Sequence, residues 1–220
     1  MGQGIGPGPS LVQTGGMGTA RERYLQALDL FSAEARAGAD RLGLPSACTD
    51  WSIADVIRHV VGVQAEQGGR ALLGGEEPEG QPRQHRDLMA PGGDFEAIDR
   101  WEELAARLRS AALDAAEDDF AQLPMATLDL ALHAWDIRWA AARVGLAGNL
   151  EFPSDLLEWM EEFREHASEE AVRSPGIFMP AVEPPAGATR SERFVAWSGR
   201  DPRTGCLPRA DSVPVPTDAS

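Results

Sequence analysis

"DLALHAWDI", residues 129–137, is the stretch on which the fold turns. It is mostly apolar, yet Asp129, His133 and Asp136 stand four and three positions apart. On an α-helix advancing roughly 100° per residue, these three side chains fall within about 60° of one another, on one stripe. Leu128, Leu132, Trp135 and Trp139 flank the stripe on one side, and Leu130 and Ile137 flank it on the other. Arg138, Ala131 and Ala134 take the opposite side. The polar stripe therefore runs through the middle of the apolar arc, where a helix meets its core. An unpaired buried charge is very costly, so the stripe predicts partners from a neighbouring element.

Working outward, Pro124 suits the first turn of the helix that carries the stripe to about Val144, ahead of Gly145. Upstream, "PSACTDWS" (45–52) reads as a turn, and Ser52 with Asp55 as a capping signal for the helix "IADVIRHVVGVQAEQGGRAL" (53–72). Residues 19–43 place Tyr24, Leu28, Phe31 and Ala35 at helical spacing with Gly43 as a stop. Residues 94–118 give another amphipathic helix, with Phe95, Ile98, Leu104, Leu108 and Leu113 among its apolar positions. A fifth covers 153–172, with Ser154 as its N-cap, and 189–200 predicts a short helix after an irregular Pro-rich segment. Between them, residues 74–93 are rich in Gly, Pro and charge, a length of loop that suits a lid or a connector. No run alternates like a strand. The expected architecture is all-α: a four-helix bundle at 19–203 with a short C-terminal extension, a flexible lead at 1–18 and a disordered tail at 204–220.

Composition narrows the function classes. The 220 residues carry a net charge of −15, from 35 acidic and 20 basic side chains, and every basic one is Arg. That balance argues against nucleic acid and anionic membranes as partners. The lack of Lys removes Schiff-base chemistry. No apolar run approaches the roughly 18 residues of a membrane span, and the N-terminus lacks the layout of a secretory signal, with Met17 as an alternative start. The expected location is the cytoplasm. Cys48 and Cys206 are far apart in the chain and read as reduced, packed or tail thiols. "GQGIGPG" precedes no strand–helix unit and is not read as a phosphate loop, and no serine-centred nucleophile elbow occurs.

Asp129 and His133, one helical turn apart, can share one cation, and catalytic zinc takes three such ligands while keeping a position open. His59 on the second helix is the third candidate, with Gly62 on the adjacent turn expected to leave space beside the imidazole. Asp136 is read as an acceptor that fixes an imidazole tautomer or as a backbone cap, and Glu66 as a reserve ligand or base. Plainer readings stand beside these. His59 alone fits a packed core histidine, and Asp129 with His133 fits a local ion pair. His85 and His166 read as solvated, and the six tryptophans as packing, with Trp51 and Trp135 able to wall a pocket.

"CTDWSIADVIRHVVG" (48–62) resembles a signature of the DinB-like superfamily, in the branch around mycothiol-dependent maleylpyruvate isomerase. "LDLALHAWDIRWAAARVG" (128–145) resembles that branch's second motif, an acid four residues before a His followed by Trp-Asp. "GIFMPAV" (176–182) and "GRDP" (199–202) are similar to segments of its actinobacterial metal-binding proteins. The resemblance implies a DinB-like bundle holding a divalent metal, usually zinc with nickel as an alternative, on His59, Asp129 and His133. The family's acid is typically Glu, and Asp129 is one methylene shorter. The chain is also expected to be too short for the isomerase's separate C-terminal domain, so maleylpyruvate isomerisation does not follow. The leading expectation is a zinc-dependent transferase or isomerase that uses a low-molecular-weight thiol, mycothiol, on a small-molecule substrate. The alternatives are a non-catalytic metal-binding or interaction protein, and a metal-free ion pair.

Overall fold

Side-chain caps start the first two helices where the sequence puts them. In the computed structural model, which describes residues 18–75, 88–173 and 177–206, Thr19 caps α1 (Ala20–Ala37) in a reciprocal box with Glu22. Ser52 does the same for α2 (Ile53–Val63) with Asp55. Each box satisfies two backbone N–H groups that a helix start otherwise leaves without partners. The turn between them is drawn tight by Asp50, at φ 64°, a left-handed conformation that a short polar side chain tolerates.

The helix expected from 53 to 72 is broken in its middle. After α2 the backbone widens into a π-helical turn at Gln64–Gly68 before resuming as α3 (Gly69–Leu73), which ends at Gly74 in the left-handed conformation. Gln64 is fully buried there. It accepts a hydrogen bond from the Tyr24 hydroxyl at 2.9 Å, and its amide nitrogen donates to the Ala126 carbonyl at 2.9 Å. One side chain thus ties α1 and the end of α2 to the later helix that carries Ala126. Periodicity alone does not signal such a turn, because every residue in it remains helical in character.

α4 (Asp94–Asp114) buries Ala97, Trp101, Leu104, Ala105, Leu108 and Ala112. Phe95 and Leu113, expected in its apolar face, are instead 88% and 61% exposed. The face is set by Trp101, which packs edge-on against Phe31 at 4.7 Å and donates to the Ser32 hydroxyl at 3.2 Å. A 3-10 turn at Glu117–Gln122 leads to α5 (Pro124–Arg143), with proline in its first turn.

α1, α2, α4 and α5 form the four-helix bundle, with α1 against α5 and α4, and α2 against α4 and α5. α5 is buried on nearly every side, including the Ala131 and Ala134 face, as befits a helix apolar all round. Arg138 is its outlet, donating to both oxygens of the buried Glu34 at 2.7 and 2.6 Å. Truncating a core residue such as Leu128 or Leu130 to Ala is expected to cost roughly 2–5 kcal/mol.

The C-terminal part completes the enclosure. The helix expected at 153–172 divides into α6 (Ser154–His166) and α7 (Glu169–Val172), and Pro153 rather than Ser154 occupies the N-cap position of α6. α8 (Arg190–Trp197) starts with a Thr189–Glu192 capping box. A two-stranded antiparallel hairpin follows, β1 (Arg200–Asp201) with β2 (Gly205–Cys206), which carries the chain three residues past the boundary expected at 203. It is seated against the turn before α2 and against α5: the Cys206 N–H donates to the Ala47 carbonyl at 2.6 Å, and Trp139 Nε1 donates to the Pro202 carbonyl at 3.1 Å. No described helix is long and apolar enough to cross a membrane.

Candidate metal centre

α2 and α5 pack directly on each other, and this brings together the three residues expected to meet. His59, Asp129 and His133 are 2%, 6% and 6% exposed. Their ligand atoms all lie within 4.8 Å of one another. The Nε2 atoms of His59 and His133 both face Asp129 Oδ1, at 3.4 and 3.3 Å. The two imidazoles stand edge to face with centroids 5.0 Å apart. The Trp51 indole covers them, stacked on His133 at 6.1 Å and tilted against His59 at 4.9 Å.

The other nitrogen of His133 has a different setting. Its Nδ1 lies 2.8 Å from Asp136 Oδ2, close enough to donate a proton and so orient the ring with Nε2 toward Asp129 and His59. Asp136 is itself gripped in a fork: Oδ1 accepts from Arg200 Nε at 2.7 Å and Oδ2 from Arg200 Nη2 at 2.9 Å. Arg200 Nη1 donates onward to the Ser198 hydroxyl at 3.1 Å. Cys48 Sγ–H adds a further donor to Asp136 Oδ2 at 3.2 Å. Of the two roles expected for Asp136, the acceptor that sets an imidazole tautomer is the one its position fits.

Charge explains how such a group survives burial. Burial pushes the Asp136 carboxyl upward, but the Arg200 guanidinium and the His133 ring outweigh it and hold the carboxyl well below the usual range. Burial likewise opposes charging His133, yet the Asp129 and Asp136 carboxylates raise it to about 9. Arg200 is pulled upward by Asp136 against its own burial.

The donor set fits a divalent cation. Charge-assisted hydrogen bonds usually close to about 2.7–2.9 Å. The Asp136 side of His133 reaches that range, whereas both Nε2 contacts to Asp129 stop at 3.3–3.4 Å. Two imidazole nitrogens and one carboxylate oxygen are the ligand types that zinc takes when it keeps a position open. Among the described residues a second convergence, Cys48–His133–Asp136, is also present. Asp136 is already forked by Arg200 there, so that cluster is a hydrogen-bonded support.

Other sequence expectations are corrected. Gly62 does not leave space beside the His59 ring: a Cβ there would sit 2.7 Å from the Leu88 carbonyl, so the glycine admits the backbone of 88–89 against α2. Glu66 is not in the cluster. The π-helical turn carries it to a cleft of about 730 Å³ between α2 and α4, where it lies 3.7 Å from Arg70. His166 is exposed, as expected. His85, residues 76–87 of the expected lid and Gly176 of "GIFMPAV" lie outside the described residues. Trp101 and Trp135 are fully buried packing, and of the two proposed pocket walls Trp51 is the one against the imidazoles.

Sequence reading missed Arg200, and took Cys48 and Cys206 for plain thiols. Cys48 stands three residues before Trp51 in the stretch that bears the resemblance, and Arg200 is the Arg of "GRDP". Both were in view, but nothing in their spacing ties them to a helix that lies far away in the chain.

Comparison with known proteins gives a consistent placement. The family described as "Mycothiol maleylpyruvate isomerase N-terminal domain" matches residues 24–145, more than half of the chain. Two curated proteins described as uncharacterized, from Mycobacterium tuberculosis strains CDC 1551 / Oshkosh and ATCC 25618 / H37Rv, are each 30% identical over 141 residues, 58% of this chain and 69% of theirs. No solved structure matches the chain at a significant level.

Proposed function

The chain belongs to the mycothiol maleylpyruvate isomerase N-terminal domain family, and from that premise we propose that it is a zinc-dependent transferase or isomerase using mycothiol as co-substrate on a small molecule. His59, Asp129 and His133 would hold the ion. The observation that carries this reading is the convergence of His59 Nε2 and His133 Nε2 on one oxygen of Asp129, inside the bundle, at distances too long for tight ion pairs. Bound there, zinc would supply the positive charge that favours thiolate over thiol in an incoming low-molecular-weight thiol.

The surrounding residues each have a part. Asp136 holds the His133 tautomer so that Nε2 faces inward. Arg200 fixes Asp136 in place and keeps it ionised. Trp51 shields the imidazoles on one side and limits water around them. The cytoplasm, where small thiols stay reduced, is the compartment this activity calls for.

Elemental analysis of the purified protein tests the reading. Near-stoichiometric zinc is expected, falling to background in His133→Ala and strongly reduced in Asp129→Asn. Absence of bound metal in the wild-type chain, or unchanged content in both variants, overturns it. A second reading, a structural ion without catalysis, is favoured by the burial of all three side chains. Calorimetry separates the two: mycothiol binding to the zinc-loaded protein supports the enzyme, and no binding supports the structural ion.

A further inference from the structure

We propose that Cys48 and Cys206 are a redox-active thiol pair, which a low-molecular-weight disulfide converts into an intrachain disulfide that clamps the C-terminal hairpin onto the turn before α2. The two residues come from the turn before α2 and from β2, and backbone bonds hold them side by side. The Cys206 N–H donates to the Ala47 carbonyl at 2.6 Å, and the Thr49 hydroxyl donates to the Cys206 carbonyl at 3.2 Å, so Cys206 is tied to the residue on each side of Cys48. The close approach depends on Gly205, at φ 81°, where a Cβ would stand 2.9 Å from the Ala47 carbonyl oxygen. The two thiols are close enough to influence each other's ionisation. Both residues are half-buried.

The pair is chemically asymmetric. The Cys48 side chain beside it, together with the Arg200 guanidinium, holds the Cys206 thiol below its ordinary value against the effect of burial, while Cys48 Sγ–H is turned to Asp136. A cationic neighbour of this kind marks a reactive cysteine. Cys206 is therefore the attacking sulfur and Cys48 the resolving one. The Cys206 thiolate attacks one sulfur of the reagent disulfide, the S–S bond breaks, and one thiolate leaves and takes up a proton. Cys48 then loses its proton to solvent and attacks the Cys206 sulfur of the mixed disulfide, expelling the second thiolate, which is protonated in turn. Two protein thiols are oxidised to one disulfide, and one reagent disulfide is reduced to two thiols. Asp136 gives up its sulfur donor in the product but keeps Arg200 and His133. The inference goes beyond the zinc reading and does not depend on it.

The test uses the full chain incubated with oxidised glutathione, blocked with iodoacetamide and digested without reduction. The expected product is a peptide pair joined through Cys48 and Cys206, with two glutathione molecules released per chain. The oxidised protein should gain roughly 5–15 °C in Tm, reversed by dithiothreitol. Cys48→Ser should stop at a stable mixed disulfide on Cys206. The inference is overturned if both wild-type cysteines are recovered alkylated, if each carries its own glutathione, or if the joined product shows no rise in Tm. The wild-type peptide map and melting curve decide by themselves, so a variant that fails to fold does not blunt the test.

Discussion

His133 has two sides, and they are built differently. On its Nδ1 side the contacts are short: 2.8 Å to Asp136, which Arg200 grips at 2.7 and 2.9 Å. On its Nε2 side the Asp129 contact is 3.3 Å, and His59 meets the same oxygen at 3.4 Å. The first side is a closed network in which charges compensate within the protein. The second turns two imidazole nitrogens toward one carboxylate oxygen at longer range. A single imidazole thus joins a structural ion-pair cluster to the proposed ligand set, and each can be disturbed separately.

The largest expected effect comes from breaking the closed side. Asp136→Ala leaves Arg200 buried without its carboxylate, and loss of one partner from a buried pair costs roughly 3–5 kcal/mol. Urea denaturation of the metal-free protein should report that loss. Arg200→Met is expected to cost less, roughly 2–3 kcal/mol, because His133 and Cys48 still serve Asp136. Combined, the two changes should cost less than their sum, since the double variant buries no unpaired charge. Metal affinity should fall roughly 10–100-fold in either single variant, as outer partners of a ligating imidazole commonly contribute that much. Equilibrium competition with a chelator measures it.

A smaller effect follows from pH. In the metal-free protein His133 titrates at about 9 in the fold, above the ordinary 6.5. Its stabilising contribution is therefore complete below about pH 6.5 and lost as pH rises through about 9. The urea midpoint should fall across that window in the wild type, and Asp136→Ala should flatten the fall. Glu66→Gln marks the small end of the series: no change in metal content is expected, because the carboxylate lies in the cleft between α2 and α4.

The same contrast explains what could be read beforehand. Asp129, His133 and Asp136 are legible because a single helix presents them at four- and three-residue spacing, and α1 and α2 are legible because Thr19–Glu22 and Ser52–Asp55 are complete local signals. His59 is a candidate from the second helix on its own and the family resemblance selects the same residue, but its meeting with Asp129 rests on the α2–α5 contact, which spacing alone does not give. Arg200 and Cys206 were not legible, since they reach the centre only through a hairpin closed by distant backbone bonds. The π-helical turn was not legible either: a Gln in an apolar helix does not reveal that it will bond to Tyr24 and Ala126. Gly62 failed for a related reason. An absent side chain suggests room in sequence, yet here it marks the place where residues 88–89 press closest.

The hairpin at the end of the described chain also has a consequence for biosynthesis. During translation α5 emerges well before Arg200, so for that interval the nascent bundle holds an aspartate meant for its centre but not the cation that makes burial affordable. Docking of α5 against its neighbours should stay incomplete until β1 arrives. This late segment is then what locks the interior, and chains released short of it are the natural targets of quality control.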